Sequence, residues 1–202
     1  MNLRTSLRPA IMMMIVFTAL LGIAYPLATT GIAQVLFNDE ADGSLVERDG
    51  TVIGSALIGQ SFIDAETQRV VPGYFRGRPS ASNYDAMASG GSNLGPTNPQ
   101  LVARVSALVA IVREENGLDA NAQIPVDLVT ASGSGLDRDI SPASAALQVE
   151  RVARERGISI DQVNELVEQA TSQPTFGFLG AERVDVLKLN RLLDERYPLA
   201  GA

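Results

Sequence analysis

The sequence predicts an α+β protein in which a single N-terminal transmembrane helix precedes one compact extracytoplasmic α+β domain. No charged residue lies between Arg8 and Asp39, and an apolar stretch of this length is long enough to cross a bilayer as a helix. Downstream, capped amphipathic segments are interspersed with short β-like segments. We therefore expect a cytoplasmic tail at residues 1–9, the transmembrane helix at residues 10–37 and the domain at residues 38–202.

The charges that flank the apolar stretch predict its orientation. Basic groups and the terminal amine precede it, and acidic groups follow it. By the positive-inside rule, the N-terminus then lies in the cytoplasm and the following domain lies outside. The flanking charged residues are Arg4, Arg8, Asp39, Glu40 and Asp42.

A cleaved signal peptide is the competing interpretation of the same segment. Residues 22–24 read Gly-Ile-Ala, which has the small-x-small form of a cleavage site. However, the apolar sequence continues to Phe37, well beyond such a cut. The length of the stretch therefore favours a retained anchor in the lipid bilayer.

Small residues form a stripe along the predicted helix. They let helix backbones approach closely, so the stripe indicates a face that packs against another membrane protein. The alternative is that Gly and Pro are simply more common in membrane helices than in soluble ones. Pro26 is also expected to disrupt the helix one turn earlier. The stripe consists of Thr18, Gly22, Pro26, Thr29 and Ala33.

Missing residue types exclude many kinds of enzyme. The chain has no cysteine and no histidine, and Lys188 is its only lysine. Thiolate nucleophiles, Ser-His-Asp triads and imidazole metal ligands are therefore excluded, and a P-loop would need Lys188 in its motif. No Ser-x-x-Lys motif occurs, which also argues against a serine–lysine acyltransferase.

The charge of the predicted domain is acidic. Without Arg4 and Arg8, the 16 basic residues become fourteen against 23 acidic ones, so residues 39–202 carry a net charge of −9. This charge argues against nucleic acid as a partner. It could raise the local concentration of cations, although salt screens the effect within about 8 Å.

Short strands and four helices are predicted within the domain. Residues 45–47 and 51–58 flank Asp49-Gly50 as a hairpin, and residues 73–78 and 124–129 are further strand candidates. The helices are marked by N-terminal capping signals and by apolar positions at helical spacing. The capping residues are Asn98 before Pro99, Ser141 before Pro142, Ser159 with Gln162, and Asp185.

Two polar loops, residues 78–99 and 130–142, each lead into a capped helix. A Gly-rich loop before a helix can bind a phosphate, but neither loop contains a P-loop or a complete dinucleotide motif. We prefer the interpretation that Ser, Asn and Gly hold an irregular polar surface in shape through side-chain-to-backbone hydrogen bonds.

Two further groups of acidic residues could in principle form a metal site or a catalytic site. Residues 38–49 match a calcium-binding loop poorly, because Asn38 stands first and Asp49 replaces the final bidentate Glu. Asp137 and Asp139 could perform acid–base chemistry only if they are buried together. The sequence therefore predicts no metal site and no catalytic residue.

Several sequence blocks together resemble a known family. They are residues 54–62 (GSALIGQSF), 74–81 (YFRGRPSA), 89–99 (SGGSNLGPTNP), 126–137 (VDLVTASGSGLD), 140–142 (ISP), 148–153 (QVERVA) and 184–190 (VDVLKLN). In this order, behind one N-terminal anchor, they resemble the KdpC subunit of the bacterial potassium-transporting P-type ATPase. One departure is Arg138-Asp139, where that family often has Pro-His.

The resemblance implies site residues in the two polar loops. Gln148 is the residue it suggests for a nucleotide contact. The loop residues are Arg78, Pro79, Ser80, Gly90, Gly91, Ser92, Asn93, Pro96, Asn98, Thr130, Ser132, Gly133, Gly135 and Asp137.

The resemblance also implies a function in a complex rather than as a free enzyme. The expected partners are a channel-like KdpA-type subunit, a P-type ATPase subunit of the KdpB type and a small KdpF-type subunit, in the inner membrane. The complex handles potassium and ATP, and this family is described as assembling it and raising the pump subunit's affinity for ATP. The rival is an anchored extracytoplasmic hydrolase or solute-binding protein.

Overall fold

The computed structural model describes residues 3–48 and 50–199 and contains two compact units. The first unit ends at Ala56 and the second begins at Leu57. Asp49, which belongs to the predicted hairpin turn and to the considered calcium loop, lies outside the described residues.

The N-terminal apolar segment is helical over almost its whole length. Helix α1 spans Leu3–Ala19, a π-helical turn spans Leu20–Ala24, and helix α2 spans Tyr25–Leu36. The helix thus begins within the predicted tail. Residues Ser6–Leu36 form one stretch of 31 residues with a mean hydropathy of 2.2, long and apolar enough to cross a membrane by length and composition. None of the residues in its most apolar part is buried, which agrees with the predicted membrane anchor.

The disruption predicted at Pro26 takes the form of the π-turn that precedes it. Pro26 has no N–H to donate to the carbonyl of Gly22, and the N–H of Tyr25 donates to the carbonyl of Leu20, five residues back. A π-turn holds one residue more than an α-turn, so it rotates the residues that follow. The stripe of small residues is therefore interrupted: Thr18 precedes the π-turn, Gly22 lies within it, and Pro26, Thr29 and Ala33 follow it.

A short helix and a hairpin complete the first unit. Helix α3 spans Asn38–Ala41, and strands β1 (Leu45–Arg48) and β2 (Thr51–Ser55) pair antiparallel, with an irregular register between Val46 and Glu47. The predicted hairpin is confirmed, although β2 ends before Ile58. Asn38 and Glu40, the first and third positions of the calcium-binding template, lie in α3.

Four longer helices and a small sheet form the second unit. The helices are α4 (Pro99–Glu115), α5 (Pro142–Arg156), α6 (Ile160–Ala170) and α7 (Val186–Arg196). Strands β3 (Asp139–Ile140), β4 (Thr171–Ser172) and β5 (Arg183–Asp185) form an antiparallel sheet in the order β3-β5-β4.

All four predicted helix caps are confirmed. Each capping side chain accepts a hydrogen bond from a backbone N–H in the first turn. The N–H groups of that turn have no acceptor within the helix, so they need such a partner. Ser159 and Gln162 form both bonds of a capping box. The bonds are Gln100 N to Asn98 (2.9 Å), Ser144 N to Ser141 (3.1 Å), Gln162 N to Ser159 (3.2 Å) and Lys188 N to Asp185 (2.9 Å).

The main hydrophobic core lies between α5, α6, α7 and the sheet, and it also receives the fully buried Phe75. A smaller core joins Val112 of α4 to Leu128 and Val129. The buried members of the main core are Phe75, Ile140, Ala145, Val149, Val152, Ala153, Val163, Leu166, Ala170, Val184, Val186, Leu189 and Leu193.

The two other strand predictions are wrong. Residues 124–129 contain a 3-10 turn at Val126–Leu128 that follows Pro125, whose backbone has no N–H for a strand ladder. Residues 73–78 form no strand either. Their apolar and aromatic side chains suit a strand, but the backbone of Phe75 and Arg76 pairs with side chains instead of with a neighbouring strand.

Two buried amides satisfy this backbone. Asn190 of α7 accepts from the N–H of Phe75 (2.8 Å) and donates to its carbonyl (3.0 Å). Gln148 of α5 likewise accepts from the N–H of Arg76 (2.8 Å) and donates to its carbonyl (3.2 Å). Both amides are 1% exposed. Each amide therefore provides the donor and the acceptor that a residue of a neighbouring strand would provide.

The buried guanidinium of Arg151 fixes the same segment from α5. It donates to the carbonyls of Pro72 and Tyr74, to Oε1 of Gln148 (2.9 Å) and to Oδ1 of Asn116 (3.0 Å). Because only 3% of the residue is exposed, these acceptors replace the water that its charge would otherwise bind.

Replacing Asn190 by leucine should strongly destabilise the second unit. Asn190→Leu keeps much of the side-chain volume but leaves the N–H and carbonyl of Phe75 buried without partners. We expect the free energy of unfolding to fall by about 3 kcal/mol, measured by denaturation of the detergent-solubilised chain. Asn164→Leu, at an exposed position of α6, should change it by less than about 0.5 kcal/mol. Equal effects of the two variants would contradict the proposed role of the amide.

Candidate functional site

The two polar loops pack against each other, backbone to backbone. The N–H of Gly90 donates to the carbonyl of Ser134 (2.8 Å), and the N–H of Ser132 donates to that of Pro79 (3.1 Å). The hydroxyl of Ser89 donates to the same Ser134 carbonyl (3.0 Å). The structure therefore brings together residues that the sequence places about 50 positions apart, and we call this region the two-loop assembly (residues 78–91 and 130–137).

Serine hydroxyls organise the interior of the two-loop assembly. Ser80 donates to the carbonyl of Gly135 (2.6 Å) and accepts from the backbone N–H groups of Ser82 and Tyr84. The buried Ser132 accepts from the N–H of Gly135 (2.9 Å). These side-chain-to-backbone bonds are the kind that the preferred interpretation of the loops predicts, and they consume N–H groups that a phosphate would need.

Close backbone contacts explain glycines in this region. A Cβ on Gly135 would lie 2.6 Å from the carbonyl oxygen of Gly90, and the φ of Gly135 is +68°. A Cβ on Gly91 would lie 3.1 Å from the carbonyl oxygen of Gly133. A side chain at either position would push the two loops apart.

Arg78 and Asp137 form an ion pair between the loops. Nη1 of Arg78 lies 3.1 Å from Oδ2 of Asp137, while Oδ1 of Asp137 accepts from the N–H of Asp139 (3.1 Å). Tyr84 donates its hydroxyl hydrogen bond to the carbonyl of Arg78. Burial raises the pKa of the Tyr84 hydroxyl to about 12, and the nearby charge of Asp137 adds to the shift against the opposing effect of Arg76 and Arg78.

The carboxylate pair considered for acid–base chemistry is engaged in ion pairs. Asp137 is paired with Arg78, and Oδ2 of Asp139 lies 3.0 Å from Nε of Arg183. Burial raises the pKa of Asp139, and Asp185 and Asp137 add to this, whereas Arg138 and Arg183 oppose it. Within residues 3–48 and 50–199, no group of three or more acidic side chains could hold a metal ion.

The remaining predicted loop residues lie at the edges of the assembly. Asn98 caps α4, Thr130 donates its hydroxyl to the carbonyl of Val126 (2.7 Å), and Asn93 adopts a positive φ of 54°. Ser92 and Pro96 lie in the irregular segment before α4. These residues shape the chain around the assembly, and Asn98 fixes where the helix begins.

Gln148 does not present its amide to a ligand in this structure. Besides its two bonds with Arg76, Nε2 donates to the carbonyl of Ser144 (3.1 Å) and Oε1 accepts from Arg151 (2.9 Å). All the hydrogen-bonding capacity of the amide is used, and 1% of the residue is exposed. In this structure Gln148 acts as a backbone partner, and the direct nucleotide contact suggested for it stays a prediction that would require some of these bonds to break.

Sequence reasoning missed a buried ion pair next to this network. Arg76 and Glu115 of α4 form two hydrogen bonds, of 2.6 and 3.0 Å, and both side chains are 4% exposed. Glu115 also accepts from the N–H of Val70 (2.7 Å). The one hint in the sequence is that the charged Arg76 directly follows the apolar Phe75. No residue near Arg76 in the sequence indicates that its partner is Glu115 on α4.

Comparison with known proteins identifies the family. The sequence model described as "KdpC: K+-transporting ATPase, c chain" matches residues 7–195, which include the helix, the hairpin and both polar loops. The chain belongs to the KdpC family. The resemblance seen in the sequence blocks is thereby confirmed over nearly the whole chain.

Relatives of the KdpC family with curated names align over almost their entire length. The chain is 53% identical to a potassium-transporting ATPase KdpC subunit from Mycobacterium bovis over 194 residues, covering 95% of this chain and 99% of that protein. It is 53% identical to that of Caulobacter vibrioides, covering 95% and 94%, and 52% identical to that of Polaromonas naphthalenivorans, covering 98% of both.

Adding a side chain at Gly135 should disrupt the two-loop assembly. Gly135→Ala places a Cβ against the Gly90 carbonyl and forces a non-glycine residue to a positive φ. We expect a loss of about 3 kcal/mol in the free energy of unfolding. Gly133→Ala is the matched control, because nothing lies within 4 Å of its added Cβ. If the two variants unfold at the same denaturant concentration, the close contact is not present in solution.

The raised pKa of Tyr84 predicts a loss of stability at high pH. The phenol titrates near pH 10 in the unfolded chain and at about 12 in the folded chain. Below pH 10 both states are protonated and the contribution is fully present, whereas between pH 10 and 12 the unfolded state loses its proton first. The chain should therefore lose about 2 kcal/mol more than Tyr84→Phe between pH 9 and 12. Parallel stability curves for the two proteins would refute this shift.

Proposed function

We propose that this chain is a non-catalytic accessory subunit of an ATP-driven potassium uptake complex. The observation that carries the proposal is the match to the KdpC family over residues 7–195. Relatives named potassium-transporting ATPase KdpC subunit align along almost their full length, which supports the same proposal.

The proposed partners are a channel-like KdpA-type subunit, a P-type ATPase subunit of the KdpB type and a small KdpF-type subunit. The chain joins them through its apolar helix, whose exposed side chains suit a membrane or a neighbouring helix. Gly22 and Thr18 lie next to each other on one face, since a Cβ added to Gly22 would lie 3.8 Å from Cγ2 of Thr18, and residues this small allow close approach of another helix. The helix itself thus leaves space at Gly22 that a partner helix could use.

The proposed orientation puts the second unit outside the cytoplasmic membrane and over the entrance of the potassium pathway. It rests on the positive residues that precede the helix. ATP is not available on that side. The chain therefore raises the ATP affinity of the pump subunit allosterically, through its membrane helix, and ATP and potassium bind to the other subunits. The buried, fully bonded amide of Gln148 is consistent with an indirect effect.

The alternative of an anchored hydrolase has less support. It would need Asp137 and Asp139 to act on a substrate, yet both carboxylates are paired with arginines in the second unit. Histidine, cysteine and a Ser-x-x-Lys motif are absent from the sequence, so the usual nucleophile–base pairs are not available. A solute-binding protein would also act without the large membrane partners that the subunit proposal requires.

Co-purification and a potassium-stimulated ATPase assay test the proposal together. The affinity-tagged chain should retain its partners in detergent, and removing it should lower the apparent ATP affinity of the pump. Gly22→Leu should lower co-purification by about tenfold, because the larger side chain blocks close helix contact.

Gly31→Leu is the matched control for this substitution. Nothing lies within 4 Å of a Cβ added to Gly31, and it lies on the opposite side of α2 from Pro26, Thr29 and Ala33. Undiminished co-purification of Gly22→Leu would show that the packing face is wrong. Failure of the unaltered chain to retain any partner would overturn the subunit proposal itself.

The orientation is testable with one introduced thiol, since the chain contains no cysteine. Met87 is 93% exposed, so Met87→Cys should react readily with a maleimide. A membrane-impermeant maleimide should label it in right-side-out vesicles, and in inside-out vesicles only after detergent is added. The reverse pattern would place the second unit in the cytoplasm.

A further inference from the structure

A basic cavity of about 500 Å³ lies within the second unit, beside the two-loop assembly. One wall is the face of α4 that carries Arg104, Ala107 and Ile111. The opposite wall belongs to the segment that contains Arg78 and Tyr84. A cavity of this size is in the range that binds a side chain or a small molecule.

The lining of the cavity contains three arginines and no carboxylate. Two of these charges are balanced from outside the lining, since Arg76 is paired with Glu115 and Arg78 with Asp137. Arg104 is exposed and forms no ion pair within residues 3–48 and 50–199. Arg104 therefore leaves one positive charge without an ion-pair partner at this cavity, on a domain whose net charge is −9.

The guanidinium of Arg78 also lacks acceptors. Its Nη1 binds Asp137, but its Nη2 reaches the carbonyl of Ala131 only at 3.5 Å. Its Nε has no hydrogen-bond partner. Among the described residues, it is the one buried side-chain nitrogen or oxygen that lacks such a partner. The guanidinium therefore has donor capacity left. Since 27% of the Arg78 side chain is exposed and the residue lines the cavity, an oxygen placed there would add an acceptor.

We propose that this cavity receives a carboxylate side chain from another subunit of the potassium-transporting ATPase, held by Arg104 and Arg78. The two oxygens of a carboxylate suit the planar donors of arginine, and its methylene groups suit the apolar wall formed by Ala107, Leu108 and Ile111. The inference rests on the proposed function as a subunit. It specifies one contact with a partner outside the membrane helix, namely a carboxylate bound by arginines.

Cysteine accessibility tests whether a partner covers the cavity. In the full-length chain, Ala107→Cys puts a thiol in the cavity wall, and Ser106→Cys puts one at an exposed position of α4 outside the lining. Each maleimide labelling rate is compared between the chain alone and the purified complex, so that the effect of the arginines on thiol reactivity cancels. In the complex, we expect the rate to fall at least about tenfold for Ala107→Cys and less than about twofold for Ser106→Cys.

Charge reversal tests whether the occupant is a carboxylate. Arg104→Glu should lower the yield of assembled complex at least about tenfold, and Arg104→Gln should lower it less. Arg191→Glu, which alters a partly exposed arginine on α7, should leave the yield unchanged. Since Arg104 is exposed, its variants should keep the unfolding midpoint of the unaltered chain.

Citrate distinguishes a free acid from a partner's side chain. If citrate protects Ala107→Cys in the chain alone while assembly does not, the occupant is a small molecule and the proposal is wrong. The proposal is also wrong if the unaltered complex assembles and Ala107→Cys stays fully reactive within it. If the unaltered chain assembles with no partner, the proposed function as a subunit is wrong, and the cavity proposal is wrong too. A complex that assembles but leaves the cavity reactive refutes the cavity proposal alone, so the two outcomes are distinguishable.

Discussion

The second unit depends on two buried amides that take the place of a β-strand. Gln148 and Asn190 project from two different helices and bind consecutive backbone positions, Arg76 and Phe75. Without them, the polar backbone of this segment would be buried beside the side chain of Phe75, which is fully enclosed in the main core. These four hydrogen bonds therefore attach the segment that leads to Arg78 to both α5 and α7.

Charged side chains extend this arrangement to α4 and to the polar loops. The Arg76–Glu115 pair joins the segment to the end of α4, and Arg151 joins it to Asn116 just beyond. Two residues after Arg76, Arg78 pairs with Asp137 and so fixes the second loop. Because buried charges must be paired or hydrogen-bonded, each of these contacts restricts the position of the next element. The two-loop assembly and the basic cavity beside it result from this chain of contacts.

The accuracy of prediction differed between local and long-range features. Helix caps such as Ser159 with Gln162 were predictable, because the donor and acceptor lie within one turn of the same helix. The assumed straight stripe on the membrane helix was altered at the π-turn before Pro26, where one extra residue changes the direction of the following side chains. The strand assigned to residues 73–78 was wrong, because its partners are the side chains of Gln148 and Asn190 and lie about 70 to 115 residues away.

The sequence by itself determined the membrane-helix candidate, the hairpin, the four capped helices, the excluded enzyme classes and, through its loop motifs, the family. Each of these depends on composition or on residues close together in the chain. The tertiary structure decided that the polar loops meet, that Gln148 is a buried backbone partner, and that three arginines line one cavity. These features depend on which distant groups satisfy one another once water is removed, and no local pattern around Arg76 or Gln148 specifies that pairing.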